Sequence, residues 1–286
     1  MKKSLAVALF LLTAAALAYP QDVSFKLQGG MTWVQGDDYN KGIAGTWQLL
    51  RDTSATVTGN YRGFKNAPSF QAEIVTHWGK RIAVGLGGGY FQMTHSDLIT
   101  SEGTTADASF TTDTTVKPQL SIIPFYLNIY YKIKVTSAVG LNIFAGPAFQ
   151  IVQFSYQRQT TSTVNSLTEL ETFKAASPSL GYQGGVSLTV HIARGLSFVA
   201  DGFYRQGKAS KLSGNWLLSS SSETGQVNKS SSAYTFWYYT YAPGASYPAI
   251  GFFDVNGPSG DGISGVRKAD INLSGLTLTA GLRIDI

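Results

Sequence analysis

Apolar and polar residues alternate strictly along most of the chain. The pattern is cleanest at the end, where Leu276, Leu278, Ala280, Leu282, Ile284 and Ile286 alternate with Thr277, Thr279, Gly281, Arg283 and Asp285. A period of two sends successive side chains to opposite faces of a strand, giving one apolar and one polar face. Val23, Phe25, Leu27, Met31 and Trp33 oppose Ser24, Lys26, Gln28 and Thr32 in the same way near the start. Six more strands follow from the pattern. They are carried by Phe70 to Trp78, Ile82 to Tyr90, Ile123 to Ile133, Leu141 to Ile151, Leu180 to Ile192 and Leu196 to Tyr204. The prediction is an all-β, up-and-down antiparallel fold of eight strands.

The connections sort by length. Those near Gly79, Thr136 and Arg194 take a few residues, whereas those across 36–68, 94–117, 156–177 and 207–268 are long and polar. Short turns at one end and long loops at the other are the arrangement of a closed transmembrane β-barrel. With that topology, Trp33, Phe70, Tyr90, Phe125, Phe149, Tyr182 and Tyr204 gather near the long-loop end. Phe25, Trp78, Tyr131 and Phe198 gather near the short-turn end. These make two aromatic girdles around a Val, Ile, Leu and Ala middle. Pro124 and Pro147 fall at the long-loop rim, where the ladder tolerates them.

Composition narrows the compartment. Charged residues make up 14% of the chain, against 13% aromatics, 31 glycines and a mean hydropathy of zero; soluble domains carry roughly 25% charge. Lys2 and Lys3 precede an apolar run from Leu5 to Ala18, which predicts a signal peptide over 1–18 cleaved after Ala18, and a barrel domain over 19–286. Removing those two lysines lowers the formal charge from +5 to +3. That excess is mild, and no basic cluster with interleaved aromatics suits nucleic acid. No cysteine is present, so neither disulfides nor thiolate metal sites hold the chain.

Three stretches resemble small bacterial outer-membrane β-barrels of the eight-stranded kind, the group that includes OmpA, OmpX and OmpW. They are the first loop Asp38-Tyr39-Asn40-Lys41-Gly42, the strand from Ile123 to Tyr131, and the Gly-rich strands Val84 to Tyr90 and Gly181 to Val190. The resemblance runs from Asp22 to Ile286. It implies a bacterial outer-membrane location reached by export through the periplasm, with both termini periplasmic. It also implies that the octet from Thr279 to Ile286 is similar to the terminal signal read by the barrel-assembly machinery, with Thr279, Gly281, Ile284 and Ile286 at the signal positions. Ile286 stands where that signal has an aromatic residue.

Candidate chemistry is sparse. Inward-facing Lys26, Glu73, Lys132, Asp201, Arg205, Arg283 and Asp285 share the interior of a barrel only just wide enough for side chains. They fit a salt-bridged plug, favoured because both signs are present, or a polar conduit. Glycines at 85, 87, 89, 181, 185 and 281 leave room for water or for Tyr126, Tyr130 and Phe144. His77, His95 and His191 show no metal-ligand spacing; His95-Ser96 is the one hint of hydrolase chemistry, without an identifiable orienting acid.

The fourth long loop crowds Tyr234, Phe236, Trp237, Tyr238, Tyr239 and Tyr241 together. They fit a self-packed hairpin, a ligand surface, or two extra strands making a wall of ten. The sequence therefore predicts a non-enzymatic outer-membrane protein with an envelope-structural or surface-interaction role, or alternatively a narrow porin-like channel or transporter for small or hydrophobic molecules. No catalytic residue, cofactor or metal is expected. The expected partners are outer-membrane lipid and lipopolysaccharide, the assembly machinery, and an extracellular ligand at the fourth loop.

Overall fold

The computed structural model describes residues 22–54, 56–104, 109–163 and 166–286; the expected signal peptide lies outside the described residues. Among the described residues the protein is an all-β antiparallel assembly with one helix. Its strands are β1 (Val23–Trp33), β2 (Thr56–Gly59), β3 (Asn66–Trp78), β4 (Ile82–Thr94), β5 (Asp97–Thr104), β6 (Ser109–Lys134), β7 (Val139–Ser162) and β8 (Leu167–Ala193). They continue with β9 (Leu196–Gln206), β10 (Lys208–Ser210), β11 (Ser213–Ser222), β12 (Gly225–Tyr241), β13 (Tyr247–Phe253), β14 (Ile263–Lys268), β15 (Asp270–Asn272) and β16 (Gly275–Asp285). The helix α1 is Asp37–Thr53. The strand count thus exceeds the eight, or ten, expected from the pattern.

The eight expected strands are all present within this set. Their ladders run β1–β3–β4–β6–β7–β8–β9–β16, and β16 pairs back with β1, so the pairing forms a ring. Outside the ring, large apolar side chains stand exposed in a band, including Leu27, Ile74, Ile129, Ile143, Val186, Leu188, Leu278 and Leu282. Inside it, polar Ser24, Lys26, Gln28, Glu73, Asn128, Gln183, Ser187 and Asp201 are buried.

The long connections correct the sequence reading. Within 94–117 and 156–177 the described residues are mostly strand, not loop: they form β5 and the continuing outer halves of β6, β7 and β8, strands of 26, 24 and 27 residues. A membrane crossing needs only about 9 to 11 residues. The polarity of the two faces inverts along these strands. On β7 the outward residues change from Ile143, Phe149 and Ile151 to Gln153, Ser155 and Gln157. The inward ones change from Asn142 and Gln150 to buried Val152, Phe154 and Tyr156. Polar outward residues imitate a loop when only one face is read, which hides the outer halves in the sequence.

The first connection, 36–68, holds α1 and β2 instead of being irregular. Tyr39 and Ile43 form the helix's buried stripe, and Asp37 and Asp38 occupy its first turn, where the helix dipole favours acids. Gly42 and Gly45 obscure this helix, because glycine lowers helix propensity. Both are needed for contact: a Cβ on Gly42 would lie 2.3 Å from Ile250, and one on Gly45 would lie 1.9 Å from the Pro248 carbonyl. The helix therefore lies directly on β13. Together with β2, β5, β11–β15 and the outer halves of β6–β8 it builds a head with its own core, including Tyr39, Phe64, Phe154, Phe173, Phe236 and Ile271. A separate small core of Val75, Ala83, Tyr130, Phe144 and Phe203 sits inside the ring.

Candidate functional site

Two places concentrate chemistry: the ring interior and the aromatic head. In the interior the ladder places Lys26 opposite Glu73. The Lys26 ammonium lies 3.0 Å from Glu73 Oε2 and 2.7 Å from Asp201 Oδ2, and donates to the Tyr130 hydroxyl at 3.1 Å. Tyr130 in turn donates to Glu73 Oε2 at 2.6 Å. Asn128 donates to Glu73 Oε1 at 3.0 Å, Gln183 to Asn128 Oδ1 at 3.1 Å, and Arg205 Nε to Gln183 Oε1 at 3.1 Å. An unbroken chain of contacts therefore joins Asp201, Lys26, Glu73, Asn128, Gln183 and Arg205 across the interior. Its two cations and two anions balance.

Arg205 has no carboxylate of its own among the described residues. Its guanidinium lies against the rings of Phe203, at 5.3 Å, and Phe91, at 5.8 Å. Such faces favour a cation that water cannot reach. The glycine face is filled by side chains, since a Cβ on Gly85 would meet Glu73 Oε1 at 2.1 Å and one on Gly87 would meet Tyr126 at 2.5 Å. Four of the seven predicted interior residues thus join in one network. Lys132, Arg283 and Asp285 do not; they sit at the short-turn mouth, where Arg283 Nε is 2.9 Å from Asp285 Oδ1. The amides Asn128 and Gln183 escape a search for charges because they are neutral, although their inward register is legible.

The histidines occupy separate surroundings. His77 Nε2 is 2.6 Å from Ser24 Oγ, but Ser24 is fully buried and His77 Nδ1 has no partner. His191 Nδ1 is 2.9 Å from the equally buried Ser197 Oγ. His95 does have an acid beside it, Asp97 Oδ2 at 3.3 Å, which adjacency in sequence does not reveal. That carboxylate is held by Arg62, through Nε at 2.7 Å and the backbone N–H at 2.9 Å. Burial lowers the His95 pKa against the opposing pull of Asp97. Among the described residues no group of three His, Cys, Asp or Glu side chains could hold a metal ion.

In the head, the predicted aromatic segment is a strand whose rings pack on one another. Phe236 is fully buried and stacks on Phe252 at 5.5 Å, which stacks on Phe173 at 4.2 Å. Tyr234 lies parallel to Trp216 at 4.6 Å, Tyr238 lies under Arg267 at 4.5 Å, and Tyr239 meets Phe253 edge-on at 5.8 Å. Trp237 is buried with Lys268 over its ring at 5.8 Å, and Tyr241 pairs with Tyr247 and Ile263. These six residues are therefore mostly framework, with Tyr234, Tyr238, Tyr239 and Tyr241 partly exposed.

Between α1, β7, β8, β12 and β13 the head retains a cavity of about 260 Å³, lined by Tyr61, Tyr156, Arg158, Glu171, Tyr239 and Phe252 among others. Arg158 bridges Glu169 at 3.0 Å and Glu171 at 3.2 Å. Burial pushes the Tyr61 phenol up to about 12 and the Tyr156 phenol well above its ordinary value, so both remain protonated hydrogen-bonding groups. The cavity offers aromatic walls and one ion-paired polar edge.

The assembly-signal positions Thr279, Gly281 and Ile284 lie on β16 and Ile286 follows its end, with Thr279 inward and buried, and Ile284 and Ile286 outward and exposed. Asp38, in the stretch expected to be a loop, accepts two hydrogen bonds from Arg267, the Nη2–Oδ1 one at 2.6 Å, and one from the Asp270 backbone N–H at 2.9 Å.

Ring and head together define the class: an antiparallel all-β protein with an apolar outer band, a polar packed interior and a folded head at the long-connection end. No family model and no curated protein matches the chain. Among solved structures it is similar to a major outer membrane protein from Thermus thermophilus, at 13% identity and a TM-score of 0.41, over 94% of this chain and 100% of that one. It is also similar to the outer membrane protease OmpT from Escherichia coli, at 12% identity and a TM-score of 0.34, over 93% of this chain and 96% of that one.

Proposed function

We propose that the protein is a bacterial outer-membrane β-barrel, with eight strands closed in the membrane, that carries a folded head outside the cell and acts by surface interaction instead of catalysis or conduction. The observation that carries this reading is the inversion of polarity along β6, β7 and β8. Large apolar side chains form a continuous outward band around the ring, as lipid requires, while the head gathers its aromatic core inward, as water requires, and exposes only scattered apolar side chains such as Leu98, Leu217 and Val227. The aromatic cavity in the head is the candidate point of contact for an extracellular ligand.

The channel alternative is disfavoured by two obstructions in series, the neutral network from Asp201 to Arg205 and the head core above it. The Ser24–His77 and Ser197–His191 pairs are poor candidates for hydrolysis because both serines are buried. Within outer-membrane barrels, the relationship to the OmpA, OmpX and OmpW group rests on the two strand stretches, since Asp38 to Gly42 opens a helix. Export by a signal peptide, assembly by the barrel machinery, and contact with lipopolysaccharide belong to the same reading.

Planar-bilayer recording tests the reading. The intact protein is expected to be silent, and steady ion-selective steps from it would favour the transporter.

A further inference from the structure

At the short-turn end, away from the head, the strand ends surround a second cavity of about 1040 Å³. Its wall carries Lys80, Arg81, Lys132, Lys134, Arg194 and Arg283, and the opposing acidic side chains are Asp22 and Asp285. Arg283 pairs with Asp285, and Arg81 reaches only the Tyr131 hydroxyl, at 3.5 Å. Among the described residues, Lys80, Lys132, Lys134 and Arg194 have no ion-pair partner. The side chains of the cavity wall therefore hold a formal charge of +4, more than the +3 of the chain without Lys2 and Lys3.

Lysines at turns are ordinarily solvated individually. Here the cations come from the β3–β4 turn (Lys80, Arg81), the end of β6 (Lys132, Lys134), the β8–β9 turn (Arg194) and β16 (Arg283), and they converge on one concave surface. A concave, low-dielectric wall of one sign focuses potential and concentrates ions of the other sign. The floor is closed. A neck lined by Lys26, Tyr130, Lys132 and Arg283 among others offers about 20 Å³, room for about one water molecule, before the Lys26 network. A solute entering here must leave by the same mouth.

We propose that this blind basic cavity binds a small, multiply charged anion of the phosphate class. Such a group presents several charged oxygens, which match both the point charges of lysines and the forked donors of arginines. The phosphate could be free in solution or belong to a lipid headgroup, because Tyr131 and Ile133 of the outer apolar face also border the cavity.

The test is calorimetric titration of the full chain in zwitterionic detergent with inorganic pyrophosphate at low salt. Saturable binding is expected, weakening as salt rises. The triple variant R81Q/K134Q/R194Q, altered only at exposed side chains, should lose at least tenfold in affinity. The variant K174Q/K211Q/K229Q, which removes as many exposed cations from the head side, should keep it. Heat-modifiable gel migration shows that both variants remain folded. Repeating the titration in nanodiscs separates the sources: phosphatidylglycerol replacing phosphatidylcholine weakens pyrophosphate binding if headgroups occupy the cavity, and leaves it unchanged if the ligand is soluble. Absence of saturable binding, or equal affinity in the R81Q/K134Q/R194Q variant, overturns the proposal.

Discussion

Lys26 shows how much a single buried side chain controls. It stands between two carboxylates, Glu73 and Asp201, at 3.0 and 2.7 Å, so Lys26→Met leaves both anions without their cation in a site that water barely reaches. Breaking a buried pair in this way costs about 3–5 kcal/mol. The urea midpoint for loss of the folded gel species should fall accordingly, and K26M/E73Q/D201N should recover much of the loss. If K26M alone unfolded at the parent midpoint, the interior network would contribute no stability. Asp38 is the corresponding control point in the head. Burial alone would raise its pKa, but the hydrogen bonds from Arg267 and the Asp270 N–H outweigh burial and hold it below its ordinary 3.8. A depressed carboxylate stabilises fully above its unfolded value, and that stability is lost as pH falls through the folded one. Head docking monitored by limited proteolysis should therefore be constant from neutral pH down to the ordinary carboxylate range and weaken below it, and D38N should remove this acid step.

At the scale of elements, the helix on β13 depends on absent side chains. Gly45→Val would place atoms inside the Pro248 carbonyl and should lift α1 from the head. Because the head core and the inner core are separate clusters, the head should become protease-sensitive while the ring stays heat-modifiable. Simultaneous loss of both would show that they fold as one unit. The same elements show what is legible in the sequence. Alternation at Leu276 to Ile286 and Phe70 to Trp78 fixes faces, and the short turns fix neighbours, so the ring follows from local information. The head does not, because its strands present Gln153, Ser155 and Gln157 outward and its helix contains two glycines. Its ion pairs join residues such as Asp38 and Arg267, far apart in the chain, in a pairing that only tertiary structure creates. In the interior, the inward charges are readable, but not that Asn128 and Gln183 connect them while Lys132, Arg283 and Asp285 remain at the mouth.

For the whole molecule, the proposed function requires two solvents to act on one set of strands: lipid around the ring and water around the head. The chain has no cysteine, so single cysteines can be placed freely and spin-labelled after reconstitution into bilayers. Leu278 on β16 and Ile74 on β3 face outward from the ring, and Val227 on β12 faces outward from the head. The decisive measurement is the relative accessibility of labels at these sites to dissolved oxygen and to a water-soluble nickel chelate. Labels at 278 and 74 should respond to oxygen and be shielded from nickel, with the reverse at 227. Nickel access at 278 and 74 equal to that at 227 would mean that the apolar band meets water, and would contradict the account.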